Sequence, residues 1–331
     1  MKNKKAWNLE SLAFLLISLT FILSGSAVFA AADPYPTKPV RFIVPIPPGS
    51  SPDIVGRLIA TKLTERLGKQ VIVENHGGAG GVLGSEMAAK AAPDGYTLLV
   101  IAGFFSTNPA FYNLSFDPLK SFTPVAKLGS GTMALVVHPS VQANSVKELI
   151  ALAKQKPGQL IWATSGAGGF QHLSAELFKN MAHIDVKIVQ FKGGGPAGID
   201  LLGGHSQIGI STLAQMLPHI KSGKLKILGT GGLKRSAVLP DVPTIAEAGV
   251  PGYESTGWWG ILAPAGIPAP IVERLNREIK AILASDELKK FFVNEGAEMD
   301  YLGPTEFGQF IAADIGKWLR LVKEANIKVG Q

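Results

Sequence analysis

Glycines and small polar residues cluster at five places where the hydrophobic pattern predicts that a strand has just ended. These are segments 49–53, 77–81, 106–108, 164–169 and 192–195. In open α/β sheets, ligands bind beyond the carboxyl ends of the strands, where the next helices begin. Unpaired N–H groups and the helix dipole attract anions there. A turn needs Gly, Ser and Asp for steric reasons alone, but five such turns in one chain favour an anion-binding site.

The predicted ligand-binding residues are small, carry a hydroxyl, or border these turns. They are Gly49, Ser50, Ser51, Asp53, Ser106, Thr107, Asn108, Thr164, Ser165, Gly166, Gly169, His172, Lys192, Gly193, Gly194, Ser211 and Thr212.

Four side chains, two of them in this set, allow two interpretations. Asp53 stands in a predicted first helical turn, where it could stabilise the helix dipole or accept a hydrogen bond from a ligand. His172 follows a glycine-rich turn and could either cap it or approach a ligand. Trp258 and Trp259 lie on a predicted strand and could pack in the core or form a wall of the cleft.

The sequence gives little support to catalytic, cofactor or metal sites. Gly193, Gly195 and Gly198 match the spacing of a dinucleotide fingerprint, but Ser211 and Thr212 stand where an acidic residue is expected. Segment 204–209 misses the spacing of a nucleophile elbow by one residue. The six histidines show no zinc-type pairing. We therefore predict no catalytic residue, no cofactor and no metal.

The 331 residues are 46% hydrophobic and 17% charged, which suits two packed lobes. The absence of cysteine excludes disulfides, a thiol nucleophile and a lipoprotein anchor. The formal charge is +7, of which three lysines and one glutamate in residues 1–30 supply +2. The remaining charge is spread along the chain, without the basic block typical of nucleic-acid binding.

The first 30 residues have the pattern of a signal peptide. Three lysines precede an apolar run over 12–23, and small residues follow, so cleavage is predicted after Ala30 or Ala32. A membrane anchor is the alternative, but the apolar run is shorter than the roughly 20 residues that span a bilayer. The signal-peptide pattern therefore predicts that the protein is exported to the periplasm.

Strand and helix patterns then alternate, which predicts an α/β fold with two doubly wound, largely parallel sheets. One helix is expected from an N-cap at Ser51 to a stop at Gly68, with Ile54 on its buried stripe. A strand over 133–137 precedes a capping box over 145–148. A crossing strand over 254–264 precedes three helices near 270–283, 286–294 and 304–325.

The chain resembles the tripartite tricarboxylate transporter receptor family, also called Bug receptors. The blocks that carry the resemblance occur in the family's order and extend over nearly all of the sequence after residue 30. They are residues 44–49 with 53–55, 73–75 before 77–81, 92–99, 107–109, 165–166 with 171–173, 191–193, 200–204, and 239–244 with 247–249.

The resemblance implies a fold similar to type II periplasmic binding proteins. Lobe 1 would comprise 33–133 and 254–331, and lobe 2 would comprise 134–253. A small organic anion, either a di- or tricarboxylate or an aromatic carboxylate, would be bound between them by lobe closure. It implies a monomer that delivers its ligand to a two-component membrane permease and is not an enzyme. Ser50 replaces a glycine usual in the family. The alternatives from the sequence are an exported α/β hydrolase or a ligand sensor for a signalling partner.

Overall fold

The computed structural model describes residues 35–166, 168–294 and 296–327. The predicted signal peptide and its cleavage site lie outside these residues. The chain divides into Met1–Thr37 and Lys38–Gln331, and every element described below belongs to the second part. Within the described ranges, no helix combines the length and apolar character needed to cross a membrane.

Strands and helices alternate through the first hundred described residues. The elements are β1 (Val40–Val44), α1 (Ser51–Leu67), β2 (Val71–Asn75), α2 (Val82–Ala89), β3 (Thr97–Ala102), the short α3 (Phe104–Thr107) and the long β4 (Phe122–Val137). Val55, Ile59, Leu63 and Leu67 form the buried face of α1. Ile54, expected on that face, is 45% exposed.

The middle of the chain repeats the alternation. Its elements are α4 (Val146–Gln155), β5 (Ile161–Ser165), α5 (Phe170–Ala182), β6 (Lys187–Phe191), α6 (Gly194–Leu202), β7 (Ile208–Thr212), α7 (Leu213–Lys221) and β8 (Lys226–Thr230). The C-terminal part contains β9 (Thr256–Pro264), α8 (Ala269–Leu283), α9 (Asp286–Asn294), the short β10 (Ala297–Glu298) and α10 (Pro304–Glu324).

The ten strands of the described chain form one sheet in the order β2-β1-β3-β9-β4-β7-β5-β6, with β8 and β10 also paired to β4. The pairings β1–β2, β1–β3, β5–β6 and β5–β7 are parallel, whereas β9 and β4 run antiparallel to their neighbours. The first part of β4 pairs with β9 and its last five residues pair with β7, so β4 joins the two halves of the sheet. The α/β fold is confirmed, and the two predicted sheets are the two halves of one continuous mixed sheet, because β4 belongs to both.

Each half has its own apolar core. One core includes side chains of β4, α4, α5 and β5, with Trp162 and Phe178 fully buried. Another includes side chains of β1, β3, β9 and α10, with Trp258 and Phe307 inside it. These cores hold the strand ends, and the loops that follow them, in fixed positions.

Candidate functional site

The turn between β1 and α1 leaves a helix start without a side-chain cap. Gly49 has φ +78°, a left-handed conformation that favours glycine. Ser50, and not the expected Ser51, is the N-cap residue, and its side chain makes no capping hydrogen bond. Ser51 is the first helical residue, and Pro52 follows it. The early N–H groups of α1 therefore have no intrahelical acceptor.

Asp53 holds this turn in place. Its carboxylate is 3% exposed. It accepts hydrogen bonds from the backbone N–H of Gly49 at 2.8 Å and from Asn75 Nδ2 at 2.9 Å, and Arg57 Nε lies 3.0 Å away. Burial alone would raise the pKa of Asp53, but the hydrogen bonds from Arg57, Gly49 and Asn75 outweigh it and keep the pKa below its ordinary value. Because the contacts to Asp53 come from within the protein, its position fits a supporting role for the turn.

A second helix start comes from the other half of the sheet. Thr212 ends β7 and is the N-cap residue of α7, again without a side-chain capping bond. The neighbouring Ser211 is buried, and its Oγ accepts from Gln171 Nε2 and donates to Gln215 Oε1, both at 2.7 Å. Ser211 thus orders the strand end, while Thr212 presents its hydroxyl at the head of α7.

The glycine-rich turn after β5 leads into α5. Gly169 is the N-cap residue, and its N–H donates to the Gly166 carbonyl at 2.9 Å. His172 is 3% exposed, and its Nδ1 accepts from the Gly168 N–H at 3.1 Å. Burial, and secondarily the charge of Lys179, lowers the pKa of His172, so the ring is neutral at pH 7. This geometry matches the interpretation in which His172 caps the glycine-rich turn.

The starts of α1, α5, α6 and α7 have no side-chain capping bond, and neither do those of α2, α8 and α10. By contrast, Ser145 Oγ caps α4 by accepting from the Glu148 N–H at 3.2 Å. An uncapped start leaves N–H groups and a partial positive charge of about half an elementary charge free for an anion.

Two adjoining cavities lie at these helix starts. The outer cavity has a volume of about 450 Å³. Its lining residues are Gly49, Ser51, Ile54, Val55, Gly131, Thr212, Ala214, Gln215, Trp259, Phe291, Phe292 and Asn294.

The inner cavity has a volume of about 230 Å³. It is lined by Ser51, Ala102, Gly103, Phe104, Gly131, Met133, Ser165, Phe170, Gln171, Thr212, Gly257, Trp258 and Trp259.

Four residues line both cavities: Ser51, Gly131, Thr212 and Trp259. Trp259 Nε1 donates to Ser51 Oγ at 2.7 Å, which fixes the orientation of the hydroxyl and leaves its proton available to a ligand. No Lys, Arg, Asp, Glu or His side chain is among the described residues that line either cavity. The region where the two cavities meet can therefore bind a carboxylate through N–H groups and hydroxyls, without an ion pair.

The predicted segment 106–108 lines neither cavity. Ser106 and Thr107 are buried, as is Asn108. Thr107 Oγ1 donates to the Phe104 carbonyl, and Asn108 Nδ2 donates to the Gly80 carbonyl. Ser106 Oγ has no hydrogen-bond partner among the described residues.

Several other predicted residues also lie away from the two cavities. Thr164 is fully buried, and its hydroxyl donates to the Val189 carbonyl at 3.4 Å. Gly193 is the N-cap residue of α6, and Lys192 before it is exposed. Gly194 shares with Ser211 a crevice of about 10 Å³, which has room for at most one water. Of the predicted residues, the structure therefore brings Gly49, Ser51, Ser165 and Thr212 to the two cavities, and the others line neither cavity.

The sequence analysis missed most of the cavity walls. Gln171 bridges two strand ends, since its Oε1 accepts from the Ser165 N–H at 3.1 Å and its Nε2 reaches Ser211. Its position directly after a glycine-rich turn was an available signal. Phe291 and Phe292 come from α9 and carry no local signal of a site. No group of three or more His, Asp or Glu side chains suited to a metal occurs in the described part of the chain.

Residues 55–327 match the family described as "Tripartite tricarboxylate transporter family receptor". Protein BugT of Bordetella pertussis (strain Tohama I) is 36% identical over 320 residues, which cover 95% of this chain and 97% of BugT. The structure of R. palustris Rpa4515 with adipate is similar with a TM-score of 0.78 and 35% identity, over 88% of this chain and 99% of the other. The structure of MatC from Rhodopseudomonas palustris with bound malate is similar with a TM-score of 0.73 and 30% identity, over 87% of this chain and 100% of MatC.

Proposed function

Because the chain belongs to the tripartite tricarboxylate transporter receptor family, we propose that it binds a small organic carboxylate where α1 and α7 begin. Its relatives are solute-binding receptors, and the protein is a receptor and not an enzyme. The alternative of an exported hydrolase is therefore wrong.

One observation carries the proposal. Ser51 begins a helix on the first half of the sheet, Thr212 caps a helix on the second half, and both line both cavities. Two helix starts from opposite halves thus point their positive ends at one space. A carboxylate has two oxygens, so it can accept from both hydroxyls and from the nearby N–H groups at once.

The chemistry of the walls supports a carboxylate. The cavity-lining residues include no acidic side chain that would repel the ligand. The solved relatives bind adipate and malate, which are both dicarboxylates. Recognition by neutral donors fits a receptor that must also release its ligand, since no buried ion pair has to be broken.

The proposed mechanism is hinge closure. The lobes would be 33–133 with 254–331 and 134–253, and β4 connects the corresponding halves of the sheet. Closure would bring Ser51 and Thr212 onto the ligand from both sides. The closed receptor, a periplasmic monomer, would then dock on a permease of two integral membrane subunits and release the carboxylate there.

The test compares two hydroxyls at helix N-caps. Thr212→Ala removes a hydroxyl that makes no capping bond, so we expect a tenfold or greater loss of carboxylate affinity with nearly unchanged stability. Ser145→Ala removes a capping hydroxyl remote from both cavities, so we expect about 1 kcal/mol lower stability with unchanged affinity. Calorimetric titration with a panel of mono-, di- and tricarboxylates, together with urea unfolding, measures both. Unchanged affinity in Thr212→Ala, or no binding of any carboxylate by the wild type, would contradict the proposal.

A further inference from the structure

The inner cavity is apolar over most of its wall. Its large side chains are Phe104, Met133, Phe170, Trp258 and Trp259. The hydroxyl and amide groups that line it belong to Ser51, Ser165, Gln171 and Thr212. A chamber of this kind recognises an apolar body by contact area and shape.

The two indole rings offer no free donor to a ligand. Trp258 Nε1 donates to Asp314 Oδ2 at 2.9 Å, and Trp259 Nε1 donates to Ser51 Oγ at 2.7 Å. Trp258 also packs edge-to-face against Phe307 and Phe310, with ring centroids 5.6 and 5.4 Å apart. These contacts fix the rings, so the cavity meets them as preformed aromatic surfaces.

Glycines give this chamber flat backbone walls. A Cβ on Gly131 would lie 3.0 Å from the Trp259 ring, and one on Gly103 would lie 3.2 Å from the Phe170 ring. Gly257 differs because a Cβ there would meet only the Gly131 carbonyl oxygen, at 3.6 Å. The space beside Gly257 is therefore open, and a methyl group could enter it without strain.

A second carboxylate would find few side-chain donors in this chamber. Gln171 already uses its Oε1 on the Ser165 N–H and its Nε2 on Ser211. No Lys or Arg is among the described lining residues. A carboxylate placed here would exchange part of its hydration for contact with mostly apolar walls, whereas an aromatic ring would gain contact with the surrounding rings.

We propose that the inner cavity selects the ring of an aromatic monocarboxylate, while the carboxylate of the same ligand lies at Ser51 and Thr212. This inference depends on the proposed function, because it takes that carboxylate position as given. An aromatic ring distinguishes such a ligand from hydroxylated acids and from acids with more than one carboxylate.

Calorimetric titration of the wild-type protein with benzoate, adipate, malate and citrate tests the selection. We expect benzoate to bind at least tenfold more tightly than malate and citrate, and more tightly than adipate. If adipate, malate or citrate binds as tightly as benzoate, the aromatic selection is overturned and the carboxylate receptor stands. If none of the four acids binds, both the selection and the proposed function are overturned.

Gly257→Ala supplies an independent test within the chamber. Its methyl group narrows the inner cavity, so we expect a tenfold or greater loss of benzoate affinity with an unchanged melting temperature of the free protein. Gly195→Ala on α6, where a Cβ meets no atom within 4 Å, is the matched control and should bind benzoate normally. Equal benzoate affinity in both variants would contradict the proposal.

A spectroscopic measurement avoids dependence on the folding of any variant. Titration of the wild type with 4-nitrobenzoate should quench tryptophan emission over the same concentration range as calorimetric binding, because the ring would contact Trp258 and Trp259. Calorimetric binding without quenching would place the ring elsewhere and overturn the proposal.

Discussion

Replacing Asp53 with alanine should weaken both the fold and the site, because this carboxylate holds the turn that begins α1. The variant loses an acceptor for the Gly49 N–H and for Asn75 Nδ2, and both of these hydrogen bonds are partly buried. Hydrogen bonds to charged groups contribute about 1.5–3 kcal/mol each. The contact with Arg57 adds little, since half of that side chain is exposed. Because the two hydrogen bonds are only partly buried, their sum lies toward the lower end of this range, and we expect a loss of roughly 2–4 kcal/mol in the free energy of unfolding.

The same change should reduce affinity through the conformation of the turn. Without Asp53, the Gly49 N–H is no longer held, and Ser51 must be ordered when the ligand binds. Because that ordering opposes binding, we expect the carboxylate affinity to fall about tenfold. The effect on binding is indirect, so it should appear with every carboxylate that binds the wild type.

Urea unfolding and calorimetric titration measure the two effects of Asp53→Ala. The matched control is Asp117→Ala, since Asp117 also accepts from two backbone N–H groups, those of Leu119 and Lys120, but in an exposed turn. The control should lose less than about 1 kcal/mol and bind normally. A variant of Asp53 that unfolds at the wild-type urea concentration and binds as tightly as wild type would refute the supporting role.

The other predictions concern a buried imidazole and two glycines. The folded state keeps the pKa of His172 below its ordinary value of 6.5, so the unfolded chain binds the proton more tightly and stability should decrease as the pH falls below about 6.5. His172→Asn should reduce the stability difference between pH 7.5 and 5.5, and an unchanged difference would contradict this. Gly231→Ala would place a Cβ 2.3 Å from the Ser255 carbonyl oxygen, so its melting temperature should fall by several degrees, whereas Gly195→Ala should not change it. Equal melting temperatures would show that the backbone there shifts freely.

Local patterns predicted many of the elements well. Gly68 ends α1 in a left-handed conformation, as its position after the last apolar residue indicated. Ser145 caps α4 through the Glu148 N–H, although Glu148 itself reaches back to the N–H of Asn144. These features depend on residues a few positions apart, which is why periodicity and capping rules find them.

Two elements escaped prediction for identifiable reasons. The first part of β4 is buried on both faces and therefore lacks the alternation that marks a strand. It also contains Lys127, which is 2% exposed and pairs with Asp300 and Ser130, contacts that no local pattern shows. The sequence analysis assigned no helix to α7, and Pro218 within it argued against one.

The site was predictable only where it depends on helix starts. Ser51 was found because a predicted strand ends and a predicted helix begins there, and Thr212 because it carries a hydroxyl directly after a predicted strand. Ser106 gives the same signal of a small polar residue after a strand, yet it is fully buried and lines neither cavity. Trp259 and Phe292 reach the cavity from segments more than 200 residues after Ser51, so tertiary packing alone brings them there.

A crystal structure of the mature protein with the most tightly bound carboxylate of the panel tests the central claim most directly. We predict that the carboxylate oxygens lie within hydrogen-bonding distance of both Ser51 and Thr212, with the body of the ligand in the inner cavity. A carboxylate bound by one half of the sheet alone, or at the corner formed by residues 77–81, would contradict the account.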